Sequence, residues 1–230
     1  VLIFIIIINM ITNYKILGER NSGTNYLEQL LHSNFNINIS NNFNSKHFFD
    51  FDEYSGIKDE ILNNTLFIGI VRDPFTWINS MYKNPYHLPE SLKATQQGFL
   101  NNEWYSIFDD GTEIQHDRNI YNTEKRYKNI FELRKIKLKF LVEEMPKLVK
   151  NYILIRYEDL LFNLKPTMIK LLKFNIIKKN INKFPINILH HTKDSKRRFI
   201  YKYELNFLKY DIDSHPDFDK YYEKQLKYTL

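Results

Sequence analysis

The segment that most constrains this chain is Leu66 to Val71, LFIGIV, six consecutive residues without a polar side chain. The run is too short for a core helix and has no polar face, so it predicts a strand buried on both sides. Strands of that kind belong to parallel sheets covered by helices front and back. Two shorter segments read the same way, Tyr14 to Gly18 (YKILG) and Tyr152 to Arg156 (YILIR). Each strand gives way to a polar turn and then to a helical pattern. After Gly18 comes ERNSG, then TNYLEQLLHSNF, with Leu27, Leu30 and Leu31 at helical spacing and Ser22 or Thr24 placed to cap the helix. After Val71 comes Arg72-Asp73-Pro74, where Pro74 can open a helix over Phe75 to Tyr82. After Arg156 an acidic EDL turn leads a helix to about Phe174. Strands alternating with helices predict an α/β fold with a mainly parallel central sheet flanked by helices. In such sheets ligands sit at the carboxyl ends of the strands, beside helix N-termini.

The remaining segments are less regular. A further strand is expected around Asn44 to Phe48, and a helix over Gly56 to Leu62. Residues 84–118 carry Pro85, Pro89, Gly98 and Gly111 without clear period and read as an insertion or lid. Its Trp104, Tyr105 and Phe108 either shape a pocket or pack in the core. Ile120 to Val149 reads as one long amphipathic helix, with Pro146 as its breaking point. Within it, ELRKIKLKF reads as a solvated face bearing Arg134, Lys135, Lys137 and Lys139, a polyanionic acceptor being the sharper alternative. A terminal helix is expected over Phe218 to Tyr228. The opening VLIFIIIIN is an apolar run of eight residues, against the roughly 20 needed to span a bilayer. Translation is expected to begin at Met10, giving one domain over 10–230 with residues 1–9 as an extension. No stable membrane span is expected; the location is read as cytoplasmic, or membrane-anchored if the apolar run belongs to a longer segment.

Composition narrows the chemistry more than the partner. The 230 residues contain no cysteine, which excludes disulfides, thiolate metal sites and a cysteine nucleophile. The net charge of +6 comes with 29 Ile, 26 Asn and a single Ala. That bias looks like the codon usage of an AT-rich genome, so the charge is not taken to indicate a nucleic-acid partner. It makes each of the eight Arg more telling, because 25 Lys stand beside them and only Arg offers a planar fork.

Three motifs lie at the expected strand ends. Gly18-Glu19-Arg20-Asn21-Ser22-Gly23-Thr24 has the spacing of a phosphate-binding loop but places Thr24 where a nucleotide-hydrolysing loop carries Lys. Backbone N–H groups of residues 21–25, with the hydroxyls of Ser22 and Thr24, can hold one phosphate at a helix N-terminus. No aspartate is placed to hold Mg²⁺, so a single 5′-phosphate fits better than a metal-bound triphosphate. In Val71-Arg72-Asp73-Pro74, Arg72 and Ser80, eight positions on, can converge on a second phosphate. In Ile155-Arg156-Tyr157-Glu158-Asp159-Leu160, Tyr157 can meet a base or ribose. Each motif alone also has a plain structural reading as a turn or a cap.

Taken in order, ERNSGTNYL, VRDPFTWINS and RYEDLL resemble the sulfotransferase family, which uses 3′-phosphoadenosine 5′-phosphosulfate (PAPS) as donor. The resemblance spans roughly Tyr14 to Phe174. It implies a three-layer P-loop-like sandwich and metal-independent transfer of a sulfuryl group to a hydroxyl or amine, leaving adenosine 3′,5′-bisphosphate. It implies that Ser22, Gly23, Thr24 and Asn25 wrap the 5′-phosphate, that Tyr26 stacks on adenine, that Arg72 and Ser80 hold the 3′-phosphate, and that Tyr157 lies near the base. The family's cation before Ser-Gly-Thr is replaced by Asn21, with Arg20 one position earlier. Lys196, Arg197 and Arg198 are candidates for its C-terminal phosphate clamp, although the usual glycine is missing.

The family's base, a His after the second strand preceded by Lys, corresponds to His47 and Lys46. His47 would take the acceptor proton, while Lys46 or Arg20 balances charge on the departing oxygen. The alternative is a strand-end His47 bonded to backbone, with His32, His87, His116, His190, His191 and His215 as competitors. Two rival functions stay open, a P-loop nucleotide or nucleoside kinase and a non-catalytic adenine-nucleotide binder. The acceptor's identity lies in the loops, which the motifs do not specify.

Overall fold

A computed structural model describes residues 10–48, 51, 54–188, 207 and 209–228. Thr65–Val71 forms the central strand, here β3, and all seven of its residues are buried. Its side chains alternate between two cores. Leu66, Ile68 and Ile70 point to one face, against Leu27, Leu30 and Leu31 of α1 (Thr24–Asn34) and against Leu160 and Met168. Phe67 and Val71 point to the other, against Leu138, Phe140, Leu141 and Met145. The period of two in an all-apolar strand is therefore satisfied by helices on both sides.

The sheet among the described residues has four strands in the order β2-β1-β3-β4, where β1 is Asn13–Leu17, β2 Asn38–Ile39 and β4 Tyr152–Arg156. All three pairings are parallel, with Leu17 opposite Gly69 and Val71 opposite Arg156. The ends of β1, β3 and β4 thus lie side by side, and each feeds a polar turn. The chain is α/β, an all-parallel sheet flanked by helices.

Between β2 and β3 stands a short helix, α2 (Asp59–Asn63), starting later than Gly56 because Asp59 and Glu60 supply the acidic first turn. After β3 come α3 (Pro74–Lys83), α4 (Glu90–Lys93) and α5 (Gln96–Asn101). Asp73 caps α3 by accepting from Thr76 N–H at 2.9 Å. α6 spans Ile130–Lys139 and begins ten residues later than the helical pattern predicts. Asn129 is the reason, since its side chain accepts from both Phe131 and Glu132 N–H at 3.1 Å. Pro146 does not end the helix. A π-helical turn, Phe140–Glu144, intervenes, and Pro146 follows it at the start of α7 (Met145–Leu148). α8 (Tyr157–Phe162) and α9 (Leu164–Leu171) follow β4, and the terminal helix is Lys220–Gln225.

The second strand also departs from expectation. It lies at Asn38–Ile39, both exposed, on the sheet edge. The expected stretch from Asn44 continues the path without a ladder, held by Gly18 N–H to Lys46 C=O at 2.9 Å and by Lys15 to Asn44 C=O. Residues 84–118 pack through Leu88, Leu92, Phe99, Leu100 and Trp104 into a third apolar cluster with α3 and α6. Trp104 is thus core, while Phe108 is half exposed. No helix among the described residues is long and apolar enough to cross a membrane.

Candidate active site

The loop joining β1 to α1 turns twice through left-handed backbone, at Asn21 (φ 62°) and Gly23 (φ 100°). Asn tolerates that region and Gly prefers it. At Gly23 the choice is forced twice over, because a Cβ would lie 2.3 Å from Cδ2 of Tyr157. Gly18 is constrained differently: a Cβ there would meet Ile70 and the Ser22 hydroxyl within 2.8 Å. The chain is thereby pressed onto β3 before it turns. Neither Ser22 nor Thr24 caps α1. Gly23 is the cap residue and makes no side-chain bond. The helix closes first with Leu27 N–H to Gly23 C=O at 3.0 Å, which leaves the first-turn N–H groups directed outward.

Those N–H groups meet a cleft of about 470 Å³. It is lined by Gly23, Thr24, Asn25 and Tyr26 at the start of α1, by Arg72 and Tyr157 after β3 and β4, and by Arg20, Asn21, His47, Tyr86 and His87. The rings of Tyr26 and Tyr157 meet edge to face, with centroids 6.2 Å apart. The Arg72 guanidinium lies over Tyr157, 5.1 Å from its centroid, and donates to Asn21 C=O at 3.0 Å and Thr76 Oγ1 at 3.3 Å. Ser80 stands one turn beyond Thr76 on α3, half buried, and is not part of the cleft wall.

Ser22 does not face the cleft. The turn at Asn21 rolls it inward, its N–H donates to Glu19 C=O at 3.1 Å, and its buried hydroxyl, without a hydrogen-bond partner, adjoins a cavity of about 20 Å³ beneath the loop. Asn21 fastens the loop to α3, donating to Asn84 C=O at 3.0 Å. This explains an amide at a place where the sulfotransferase pattern has a cation.

Arg20 is the other departure. It is only 2% exposed. Its Nε donates to Glu19 at 2.8 Å, Nη1 to Ser106 at 2.7 Å and to Tyr86 C=O at 3.2 Å, and Nη2 to Asp117 at 2.9 Å. Lys137 completes the cluster, donating to Glu19 at 2.5 Å, Asp117 at 2.6 Å and His47 C=O at 2.9 Å. Ser106 also bonds Asp117. Two cations thus alternate with two carboxylates beneath the cleft. Burial alone would raise the Glu19 carboxyl, but Lys137 and Arg20 hold it well below the usual carboxylate range. Burial acts against the Arg20 cation, and Glu19 and Asp117 more than offset it.

His47 sits directly above this cluster. Its Nδ1 is 2.7 Å from Gly18 C=O, so Nδ1 carries the proton and Nε2 keeps a lone pair. Burial, with Arg20 and Lys137 nearby, lowers its pKa to about 4 against the pull of Glu19. The ring is bonded to backbone and also lines the cleft. Lys46 bonds Asn25 and Glu28, each at 2.7 Å, at the edge of the loop.

Lys137 and Arg134, expected on a solvated face, are 3% and 6% exposed. Arg134 pairs with Glu223 at 2.5 Å and 2.8 Å and donates to Arg72 C=O at 2.9 Å, so the terminal helix braces the end of β3. Asp117, Lys137, Tyr86 and Ser106 escape sequence reading because the contacts that gather them span 11 to 118 residues. Lys196, Arg197, Arg198, His190 and His191 lie outside the described residues. Among the described residues no group of His, Asp or Glu is arranged to hold a metal ion. Comparison with family models, curated proteins and solved structures finds no match to this chain.

Proposed function

We propose that this chain is a PAPS-dependent sulfotransferase built as a three-layer P-loop-like sandwich. The observation that carries the reading is that one cleft gathers the loop after β1, Arg72 after β3 and Tyr157 after β4, and that His47, its pKa lowered to about 4, lines the same cleft. The N–H groups at the start of α1 and Thr24 suit the 5′-phosphate. Arg72, which lines the cleft, suits the 3′-phosphate, while Ser80, outside the cleft wall, is not assigned to it. Tyr26 and Tyr157 suit the adenine. A volume of about 470 Å³ is within the ordinary range for a small-molecule site.

In this reading the acceptor oxygen forms a bond to sulfur, and the bond from sulfur to the bridging phosphate oxygen breaks. The electron pair leaves with adenosine 3′,5′-bisphosphate, and the acceptor proton passes to Nε2 of His47. Lys46, whose ammonium bridges Asn25 and Glu28 beside the loop, would have to leave Glu28 to reach the leaving oxygen. Arg20 holds the wall, because its guanidinium is tied to Glu19 and Asp117.

Thermal shift and label transfer test the proposal. Adenosine 3′,5′-bisphosphate is expected to raise Tm without Mg²⁺, and PAPS to transfer labelled sulfate to an acceptor. His47→Ala is expected to abolish transfer while the nucleotide still binds. A preference for Mg-ATP, or stabilisation by neither nucleotide, would overturn the reading.

A further inference from the structure

Tyr86 and His87, two aromatic rings from the insertion that no phosphate-binding role requires, line the cleft. Tyr86 is 62% exposed, unusual for so large a ring. His87 holds φ at 61°, a conformation costly for a residue with a Cβ and concentrated at functional sites. Their backbone is fixed all the same. Arg20 donates to Tyr86 C=O, Ile107 N–H donates to His87 C=O at 2.9 Å, and the neighbouring Leu88 is buried. The Phe48 ring stands edge-on between His87, at 6.1 Å, and His47, at 6.3 Å. The segment therefore presents exposed rings on a rigid frame beside the group that would accept the proton.

Resting on the sulfotransferase reading, we propose that Tyr86 and His87 form an acceptor subsite for an aromatic molecule bearing a phenolic hydroxyl. Two observations beside the paired rings choose this class. No carboxylate lines the cleft among the described residues, which disfavours an ammonium-bearing acceptor. The second is the weak basicity of His47, which suits an O–H with a pKa near ~10 rather than that of an alkanol. The step balances as before: the phenol oxygen bonds to sulfur, the sulfur–bridging oxygen bond breaks, and the phenolic proton goes to His47.

The test uses the whole chain. Binding of adenosine 3′,5′-bisphosphate is measured first, by calorimetry; its absence removes the sulfotransferase reading itself. Labelled PAPS is then offered with 2-naphthol, a tyrosine-containing peptide, 1-octanol or octylamine. Transfer to 2-naphthol or to the peptide tyrosine at least tenfold above octanol and octylamine is expected, and the stronger of the two names the source of the phenol. Fluorescence titration of 2-naphthol into the nucleotide-bound protein should give a Kd that Tyr86→Ala and His87→Gly each weaken about 3- to 10-fold, with nucleotide affinity unchanged. Nucleotide binding without a preference for phenols, or naphthol affinity indifferent to both substitutions, overturns the subsite.

Discussion

Two arginines border the same cleft and do opposite work. Arg20, inside the motif, is buried between Glu19 and Asp117 and spends its donors on holding the loop and the insertion together. Arg72, 52 positions later, is half exposed over the Tyr157 ring in the cleft. The difference teaches that nearness to a phosphate-loop motif does not decide which cation meets a ligand. Burial with matched carboxylates makes an arginine part of the scaffold, whereas an arginine against an aromatic face at a strand end keeps its charge toward solvent.

The comparison breaks most visibly at Asp117. Asp117→Ala should cost about 3–5 kcal/mol in urea unfolding, because it leaves Arg20 and Lys137 short of a buried counter-ion. A loss below about 1 kcal/mol would show that the cluster is not what closes the wall. Arg72→Ala should behave the other way. Affinity for adenosine 3′,5′-bisphosphate should fall about 10- to 100-fold, as expected for a lost charged hydrogen bond, with Tm of the free protein little changed. Equal losses of stability from both substitutions would erase the distinction.

His47 lines the same cleft and sharpens the contrast through pH. Its folded pKa, about 4, is below the unfolded value near ~6.5. The unfolded chain therefore binds the proton first, and stability present at neutral pH is lost as pH falls from about 6.5 toward 4. The wild type should lose about 2 kcal/mol more than His47→Gln between pH 6.5 and 4.5. Parallel profiles would mean that the imidazole is not shielded. The smallest effect is expected at Lys135, which neighbours Arg134 but pairs with Asp219 at the surface. Lys135→Ala should change unfolding free energy by less than about 1 kcal/mol, whereas Arg134→Ala, which strands buried Glu223, should cost several times that.

The parts of this molecule that could be read from its sequence are those set by local chemistry. Leu66 to Val71 announces a doubly covered strand because every residue is apolar, and the turns after Gly18 and Val71 carry their own glycine and proline signals. Residues of the candidate site that sit on those turns, among them Gly23, Thr24 and Arg72, follow directly. What stays hidden is set by distance along the chain. A lysine such as Lys137 reads as surface by default, and only the fold brings Glu19 and Asp117 to it. The π-helical turn hides similarly, since Pro146 signals a break that one wide turn absorbs. The inward rotation of Ser22 depends on two left-handed residues whose combined effect no spacing rule expresses.

Loops that choose a substrate are commonly treated as cassettes, exchangeable between scaffolds because they touch little of the interior. The insertion carrying Tyr86 and His87 cannot be handled so, since it also contributes the carboxylate that neutralises two interior cations. A transplanted segment without an aspartate and a serine at equivalent depth would strand those cations. Substitutions at the rings of the rim are compatible with the fold only where the root of the segment, Ser106 and Asp117, is left untouched.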